Sequence, residues 1–358
     1  TMLRYGTGER VWIRLEAAAS SPTELPAGYE GLYTSVSNGL GAGFSTERAL
    51  THALFELLQR DGNSVNYRAL DQGVGVDLSG AALPGRVTEL PERFALAGID
   101  VRVKLAATDF GLNNLYVVGA HGSGEEPGIM AAGAGEACGP DREVALEKAL
   151  LEFAAARTRL AFNHGPLEAV EEVAPPGYLG RYREAFRGVP EEARALRAMR
   201  EWTALEPYAL RERLSQVYDV RTQVPWDSLP HSRPADPLAD AAARLDGFDL
   251  LFLELATPEA AAHGVVAVKA VVPGLEVETV SYGRLSARNL RRLLGRDSPL
   301  VGLGSPPAGA APICLTAEAE AAFGGPAWLG VSALAGLTRA LYPLYREPTR
   351  HAVHWSDL

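Results

Sequence analysis

The chain has 358 residues, 47% of them hydrophobic, and a formal net charge of −10. This length can bury a large core in one big domain or two smaller ones, and the acidic balance argues against a general binder of nucleic acids or anionic membranes. Cys138 and Cys314 lack metal-ligand spacing and no apolar run could cross a membrane, so we expect a cytoplasmic protein without a nucleic-acid or membrane partner.

The first informative stretch joins a glycine-rich segment to a helix. Glycines between Gly39 and Gly43 predict a tight turn, and a helix follows over roughly residues 46–62, with Ser45 or Thr46 as its N-cap. On an ideal wheel, Glu56 and Arg60 share a narrow stripe lined by alanine, where an acid and a base can approach a ligand closely. A salt bridge between residues four apart explains the same pair, so both interpretations stay open.

A similar unit follows further along the chain. Residues 133–141 are again rich in glycine, and they lead into a helix at 145–157 in which Glu152 follows Glu56 by 96 residues. Two such units predict a pseudo-symmetric architecture with two acidic helices facing a shared space. The alternative is that alanine, leucine and glutamate are simply common in helices. Carboxylates from two helices are hard oxygen ligands that suit Mg²⁺ bound to a nucleotide, and Arg60 is placed to neutralise a phosphate.

The rest of the chain mixes strands and helices without regular alternation. Strand-like patterns cover residues 11–13, 98–105, 115–120, 130–133, 248–255 and 265–272. Amphipathic patterns predict helices at 90–97, 285–294 and 327–341, and residues 161–217 are charge-rich and helical. We therefore predict an α+β, or mixed α/β, fold rather than a doubly wound sheet.

Three segments in a fixed order give the chain a resemblance to the YcaO family. The first is Ser37–Gly43 with the helix that ends in Arg60-Asp61, and the second is Ala149-Leu150-Leu151-Glu152 with Arg157. The third is Val268–Glu276, of sequence VKAVVPGLE, with Arg284 shortly downstream. Together the segments cover roughly residues 35–300.

This resemblance implies a YcaO-like fold in which two pseudo-symmetric loop-helix units pack on β-sheet. A single domain is expected over residues 1–358. Within it, residues 35–160 would form a first lobe with the nucleotide site, 161–245 a charged helical region, and 246–358 a second, sheet-rich lobe.

The resemblance also implies an enzyme that uses ATP and Mg²⁺ to phosphorylate a peptide backbone amide oxygen. A nucleophile then attacks the amide carbon and phosphate leaves, giving an azoline, a thioamide or an amidine. The implied substrate is a ribosomally made precursor peptide or a protein, and the implied partners are a TfuA-like or other protein, or a second copy in a homodimer. The alternative is a non-catalytic subunit that binds nucleotide or peptide beside an active partner.

The resemblance assigns residues to the site but no catalytic residue. The implied metal ligands are Glu56, Gln59 and Glu152, and the implied nucleotide contacts are Ser37, Asn38, Gly39, Arg60, Arg157 and Arg284. Arg159 stays open as an alternative to Arg157, because it shares the Glu152 face of the helix.

The chain departs from the family pattern in several places. Gln59 stands where the family has glutamate, and Ala155 stands where it has glutamine, which predicts altered metal loading or a loss of ATP turnover. The C-terminal residues 351–358 lack the proline-alternating tail common in azoline-forming members, which favours thioamidation or another nucleophile. The short stretch before the first motif predicts that N-terminal sequence is missing.

Overall fold

The computed structural model describes residues 1–122, 126–276 and 284–355. Its strands are β1 (Met2–Arg4), β2 (Arg10–Val11), β3 (Leu40–Gly43), β4 (Val74–Asp77), β5 (Ile99–Ala107), β6 (Asn113–His121), β7 (Ala134–Gly139), β8 (Thr222–Pro225), β9 (Leu251–Glu254), β10 (Val266–Val271), β11 (Val301–Leu303), β12 (Ala311–Pro312) and β13 (Ala327–Leu329). Its helices are α1 (Leu15–Ala18), α2 (Thr46–Asn63), α3 (Gly85–Leu96), α4 (Arg142–His164), α5 (Leu167–Val173), α6 (Tyr178–Ala185), α7 (Ala193–Thr203), α8 (Pro207–Arg213), α9 (Ser215–Tyr218), α10 (Pro237–Arg244), α11 (Pro258–Ala262), α12 (Ala287–Leu294), α13 (Ala317–Phe323), α14 (Val331–Thr338) and α15 (Ala352–Trp355). The predicted mixture of helix and strand is confirmed.

The first sheet joins distant parts of the chain. Its order is β2-β1-β9-β10-β3, and every neighbouring pair is antiparallel. The predicted tight turn is present at the start of the glycine-rich segment, where the Leu40 N–H donates to the Ser37 carbonyl oxygen at 3.1 Å and Gly39 has a φ of +86°. It does not extend to Gly43: Leu40 pairs with Lys269 and Gly43 with Val266, so Leu40–Gly43 is a strand extended by pairing with β10. The predicted first and second lobes therefore share one sheet; residues 277–283 and 356–358 of the second lie outside the described ranges.

The second sheet carries the later glycine-rich segment. Its order is β7-β6-β5-β4-β8, antiparallel except between β4 and β8. Strand β6 is buried along almost its whole length, since helices and loops cover both faces. The predicted edge strand at 130–133 was wrong: residues Gly128–Ala132 form a 3₁₀ turn that leads into β7.

A small third sheet, β11-β13-β12, lies near the C-terminus. It corrects the helix predicted over 327–341, because Ala327–Leu329 is the central strand of this sheet and only Val331–Thr338 is α-helical. Apolar spacing alone does not distinguish a short buried strand from the first turn of a helix.

Helices α2 and α4 each turn back onto the strand that precedes them. Ser45 caps α2 by accepting a hydrogen bond from the Arg48 N–H, and Asp141 caps α4 by accepting from Glu143 and Val144. The two caps are 96 residues apart, as are Glu56 and Glu152. The predicted pair of similar units is therefore present in three dimensions as strand-helix units.

Glycine permits the close approach of each helix to its strand. A Cβ at Gly41 would lie 1.9 Å from the carbonyl oxygen of Ala49, and one at Gly135 would lie 2.0 Å from that of Ala149. The facing helix residues Ala49 and Ala149 are fully buried and present only a methyl group. Small residues on both sides thus bring α2 and α4 against their sheets.

Residues 165–218 form a layer of short helices, as the charge-rich pattern predicted. Leu196, Met199 and Trp202 on α7 are all buried, at a spacing of three residues that keeps them on one face. They pack in a core with residues of β6 and of the C-terminal segment. This region therefore covers the second sheet.

The Gly135→Ala substitution tests the close approach. We expect it to lower the free energy of unfolding by about 3 kcal/mol, because the added methyl group meets helix backbone that cannot move independently. Urea titration followed by circular dichroism measures the loss. Gly139→Ala in the same strand is the control, with a change within about 0.5 kcal/mol, because no atom lies within 4 Å of its added Cβ. Equal stability of the two variants would contradict the packing described.

Candidate functional site

A cavity of about 900 Å³ lies between α2 and α4. Its polar lining includes Glu56, Gln59 and Arg60 from α2, Glu136 from β7, and Lys148 and Glu152 from α4. The structure therefore brings the three predicted metal ligands, Glu56, Gln59 and Glu152, to one cavity. Its apolar lining includes Phe55, Val144 and Leu238.

Glu56 and Glu152 are fixed in the same way. The backbone N–H of Gly39 donates to Glu56 Oε2 at 2.9 Å, and the backbone N–H of Glu136 donates to Glu152 Oε2, also at 2.9 Å. In the first unit the donor, Gly39, lies just before strand β3. In the second unit the donor, Glu136, lies within strand β7. In the described chain, neither Oε1 atom accepts a hydrogen bond, so each glutamate keeps one oxygen for a ligand.

Glu136 is a site residue that sequence reasoning missed. Three side chains of α2 donate to its Oε2 atom: Asn63 at 2.6 Å, Arg60 at 3.3 Å and Gln59 at 3.4 Å. Asn63 was also missed, although its spacing from Glu56 and Arg60 continues the polar stripe of α2 by one turn. Glu136 carried a weaker signal, a single acid within a buried glycine- and alanine-rich strand.

Arg60 lies between two carboxylates. Its Nη2 is 4.0 Å from Glu56 Oε1, the outer limit of an ion pair, whereas its Nη1 is 3.3 Å from Glu136 Oε2. Of these two contacts, the salt bridge within α2 is therefore the weaker, and the guanidinium lies closer to the acid on β7.

The electrostatic environment of Glu152 favours its neutral form. Partial burial at the cavity wall raises the pKa of this carboxyl, and the negative charge of Glu136 raises it further, against the effect of the backbone hydrogen bond. A cation bound beside Glu152 would oppose both effects.

A second, smaller cavity of about 180 Å³ is lined by three basic side chains, Arg14, Lys269 and Arg284, of which Arg14 pairs with Glu16 of the same lining. It is lined by Asn38, Lys269, Arg284 and Tyr33, among others. The Lys269 side chain is 2% exposed, and its Nζ donates to the carbonyl oxygens of Val36 at 2.5 Å and Asn38 at 2.7 Å. Burial lowers the pKa of Lys269 to about 8, and in the described chain no carboxylate forms an ion pair with it.

Arg284 completes the positive lining of this smaller cavity. Its guanidinium lies over the Tyr33 ring, 4.4 Å from the centroid, and its Nη1 is buried without a hydrogen-bond acceptor in the described chain. Two of the predicted nucleotide contacts, Asn38 and Arg284, are thus brought together, with Ser37 and Gly39 flanking Asn38 in the chain. Since Gly39 also donates to Glu56, its backbone connects the two cavities.

Arg157 lies apart from both cavities. Its guanidinium is buried, donates to the carbonyl oxygens of Gly119 and Met130, and pairs with Glu126. Arg159, the open alternative, is half-exposed and donates to Glu347 at 2.6 Å. The structure brings neither arginine to the cavity between α2 and α4, so neither is among the residues to which we assign phosphates.

Two of the sequence motifs meet in the core behind the site. Asp61 is fully buried and accepts the backbone N–H of Glu276 at 2.9 Å and the Arg288 guanidinium at 2.6 Å. Glu276 in turn accepts from the Ser286 N–H and the Asn289 side chain. The end of α2 is therefore tied to the segment after β10.

Within residues 1–122, 126–276 and 284–355, no helix is both long and apolar enough for a transmembrane span. In the same ranges, no group of three histidine, cysteine or acidic side chains is placed to enclose a metal ion by itself. The acidic cavity still fits Mg²⁺ carried by a nucleotide, since that ion is usually held by one or two carboxylates together with phosphates and water.

Comparison with known proteins adds a family and a fold. Residues 1–276 match the model of the family described as YcaO cyclodehydratase, ATP- and Mg²⁺-binding. An uncharacterized protein of Methanothermobacter thermautotrophicus is 27% identical over 271 residues, which are 76% of this chain and 63% of that protein.

Two solved structures have a similar fold. The heterocyclase TruD superposes with a TM-score of 0.59 at 18% identity, over 84% of this chain and 37% of TruD. YcaO from Methanopyrus kandleri, bound with AMPPCP and Mg²⁺, superposes with a TM-score of 0.54 at 17% identity, over 80% of this chain and 66% of that one. The chain thus spans between about a third and two thirds of the length of these proteins.

Proposed function

Because the chain belongs to the YcaO family, we propose that it uses ATP and Mg²⁺ to activate a backbone amide of a peptide or protein substrate. The observation that carries the proposal is the placement of Glu56 and Glu152 from two equivalent units in one cavity, each fixed by a backbone N–H. Such preorganised carboxylates suit a metal ion that arrives with phosphates.

We assign the metal to the cavity between α2 and α4. Glu56 and Glu152 would hold Mg²⁺ through their Oε1 atoms, and the amide oxygen of Gln59 could orient a water molecule of the ion. The ion supplies positive charge that neutralises the phosphates during transfer. The M. kandleri protein bound with AMPPCP and Mg²⁺ supports this assignment at the level of the fold.

We assign the negatively charged phosphates to the cations around both cavities. Arg60 lies beside the metal ligands, and Lys269 and Arg284 line the smaller cavity on the other side of Gly39. Within the described residues, the partners of the buried Lys269 ammonium are carbonyl oxygens, which favours an anionic ligand. The Ser37–Gly39 segment would offer backbone groups to the same nucleotide.

The chemistry required of the protein is positioning and charge neutralisation. An amide oxygen is a poor leaving group, and transfer of the ATP γ-phosphoryl group to it, with release of ADP, converts it into a good one. A nucleophile then adds to the amide carbon and phosphate departs. Arg60 and the carboxylates fix the phosphate end, and the apolar lining by Phe55, Val144 and Leu238 offers a surface to the peptide.

For the nucleophile, we propose either sulfide or another external group, or a Cys, Ser or Thr side chain of the substrate. A partner protein that delivers the nucleophile, TfuA-like or other, belongs to this proposal, as does cytoplasmic localisation.

The second candidate function is a non-catalytic subunit that binds nucleotide or peptide. The observation that favours it is Ala155, which leaves helix α4 without the glutamine of the family pattern, together with the neutral Gln59 on α2. Calorimetry separates the two functions: nucleotide binding with no turnover, even with peptide and partner present, supports the second.

Glu56→Gln and Glu152→Gln test the metal ligands. Each variant should lose at least about 100-fold of Mg²⁺-dependent ATP hydrolysis measured by phosphate release, because an amide binds Mg²⁺ far more weakly than a carboxylate. Glu147→Gln is the matched control, since Glu147 lies on α4 but pairs with Arg86 outside the cavity, and it should keep full activity. Full activity in both site variants would overturn the assignment.

The buried Lys269 predicts a pH dependence of nucleotide binding. Its pKa of about 8 in the free fold is below the usual 10.5, so above pH 8 the Lys269 amine is mostly neutral and must take up a proton when it binds an anion. Affinity for AMPPCP should therefore fall by up to about tenfold per pH unit above pH 8. The charges of Glu56 and Glu24 act on Lys269 in the opposite direction to burial, and Arg284 lines the same cavity.

Lys269→Arg isolates this effect, because arginine stays protonated throughout the range. Calorimetric titrations between pH 7 and 9.5 should show a flat affinity for the variant and a falling one for the wild type. Parallel profiles would show that Lys269 does not contact the nucleotide. The same pKa shift has a stability counterpart: the unfolded chain binds this proton more tightly, so the free protein should become more stable as pH rises from about 8 towards 10.5.

A further inference from the structure

Strand β3 forms one edge of the first sheet, and within the described residues its only strand partner is β10. The Ala270 N–H donates to the Gly39 carbonyl oxygen at 2.7 Å, and antiparallel pairing alternates from there, so Gly41 and Gly43 direct their backbone groups at β10. The N–H and C=O of Ala42 therefore point away from β10. Ala42 is exposed, and in the described chain neither backbone group has a hydrogen-bond partner.

This edge lacks two features with which proteins commonly block an open strand edge, a charged side chain and a proline. The sequence of β3 is LGAG, without either. At the opposite edge of the same sheet β2 carries Arg10, and at one edge of the second sheet β8 ends in Pro225. Directly after β3, the Phe44 side chain is 81% exposed. The β3 edge is therefore accessible to a further strand.

The corresponding strand of the second unit is covered by the protein itself. Strand β7 is also an edge strand, but its residues 135–138 are buried. The Glu136 N–H is bound by Glu152, and side chains of α2 donate to the Glu136 carboxylate. The two units thus differ at this point, and the edge of β3 is the one that stays open.

The open edge lies at the cavity between α2 and α4. Ala42 and Ser45 belong to the lining of that cavity, and Gly39, one residue before β3, binds Glu56. At about 3.3 Å per residue, the four residues of β3 extend over about 13 Å, so a strand paired along them would pass within a few residues of Glu56. A substrate that reacts at a backbone amide has to present its main chain, and strand pairing holds a main chain extended in a fixed register.

We propose that an extended segment of the peptide or protein substrate pairs with the open edge of β3 as an additional strand of the first sheet, and that this pairing leads its main chain into the cavity beside Glu56. This inference rests on the proposed function, because it takes the same substrate class. The backbone of Ala42 supplies the pairing groups, and the exposed Phe44 ring offers apolar contact to the side chains of the segment. Recognition through main-chain groups tolerates many substrate sequences.

Hydrogen exchange of the wild type tests the place of docking. The probe is an octapeptide of alternating valine and serine with blocked ends, because valine favours the extended chain and the absence of charge removes electrostatic attraction. At saturating peptide, mass spectrometry should show exchange at least about fivefold slower in fragments that carry residues 40–44, and unchanged exchange in fragments that carry β2. Lack of saturable binding, or equal exchange of β3 with and without bound peptide, would overturn the proposal.

The Ala42→Pro substitution tests the pairing groups. Proline removes the N–H at the open edge and leaves the ladder with β10 intact, since this N–H points away from β10. Affinity for the fluorescein-labelled octapeptide, measured by fluorescence anisotropy, should fall at least about tenfold, whereas affinity for AMPPCP should not change. Phe44→Ala alters only an exposed ring and should weaken peptide binding about fivefold, which keeps the proposal testable if the proline variant does not fold.

Arg10→Pro is the matched control at the opposite edge of the same sheet. The Arg4 N–H donates to the Glu9 carbonyl oxygen at 2.8 Å and Leu3 pairs with Arg10, so the Arg10 N–H also points away from its neighbouring strand. This variant should bind the octapeptide as the wild type does. Equal peptide affinity of Ala42→Pro, Phe44→Ala and Arg10→Pro would overturn the proposal.

The two binding measurements separate this proposal from the proposed function. Failure of AMPPCP to bind, with peptide binding and protection of β3 intact, would overturn the proposed function but not the docking of a strand on β3. Failure of the peptide to bind, with AMPPCP bound, would overturn the docking alone. Sedimentation equilibrium identifies a competing occupant: a wild-type dimer that Ala42→Pro dissociates would show that a second copy covers this edge, and would overturn the assignment to substrate.

Discussion

The site depends on two glutamates that each accept a hydrogen bond from the backbone just beside their helix. Gly39 and Glu136 donate to Glu56 and Glu152 at the same distance, 2.9 Å, and these bonds are possible because α2 and α4 lie almost in contact with their strands. A backbone N–H cannot be repositioned by a rotamer change. The sheets therefore fix the positions of both carboxylates, so the acidic wall of the cavity between α2 and α4 is rigid.

The rest of the core holds the two units in place. The first sheet joins β3 to β10, and the buried Asp61 fastens the end of α2 to the Glu276 backbone and to α12. The Nζ of Lys269, on β10, donates to the carbonyl oxygens of Val36 and Asn38, just before Gly39. The third sequence motif, Val268–Glu276, thus holds the first motif, Ser37–Asp61, in position. Removal of a charge from such a buried network costs several kcal/mol, because its partners are left unpaired.

The sequence was sufficient for the parts of the site that follow helical periodicity. The stripe with Glu56 and Arg60 and its repetition at Glu152 required only the spacing of α2 and α4, and the order of three motifs indicated the family. What the sequence did not reveal is that Leu40–Gly43 and Ala134–Gly139 are strands, since their pairing with β10 and with β6 is a long-range interaction that local composition does not show. Glu136 and Asn63 were missed for a related reason, because their importance arises only when β7 and α2 are brought together. The burial of Arg157 likewise depends on carbonyl groups of β6 and of the turn before β7.

The central claim is that one nucleotide-bound metal ion lies between Glu56 and Glu152. A crystal structure of the chain with AMPPCP and Mn²⁺, with anomalous data collected at the manganese edge, tests it most directly. The account predicts an anomalous peak within about 2.5 Å of an oxygen of both glutamates, in contact with the phosphates. A peak in contact with neither Glu56 nor Glu152, or phosphates bound with no metal between α2 and α4, would contradict it.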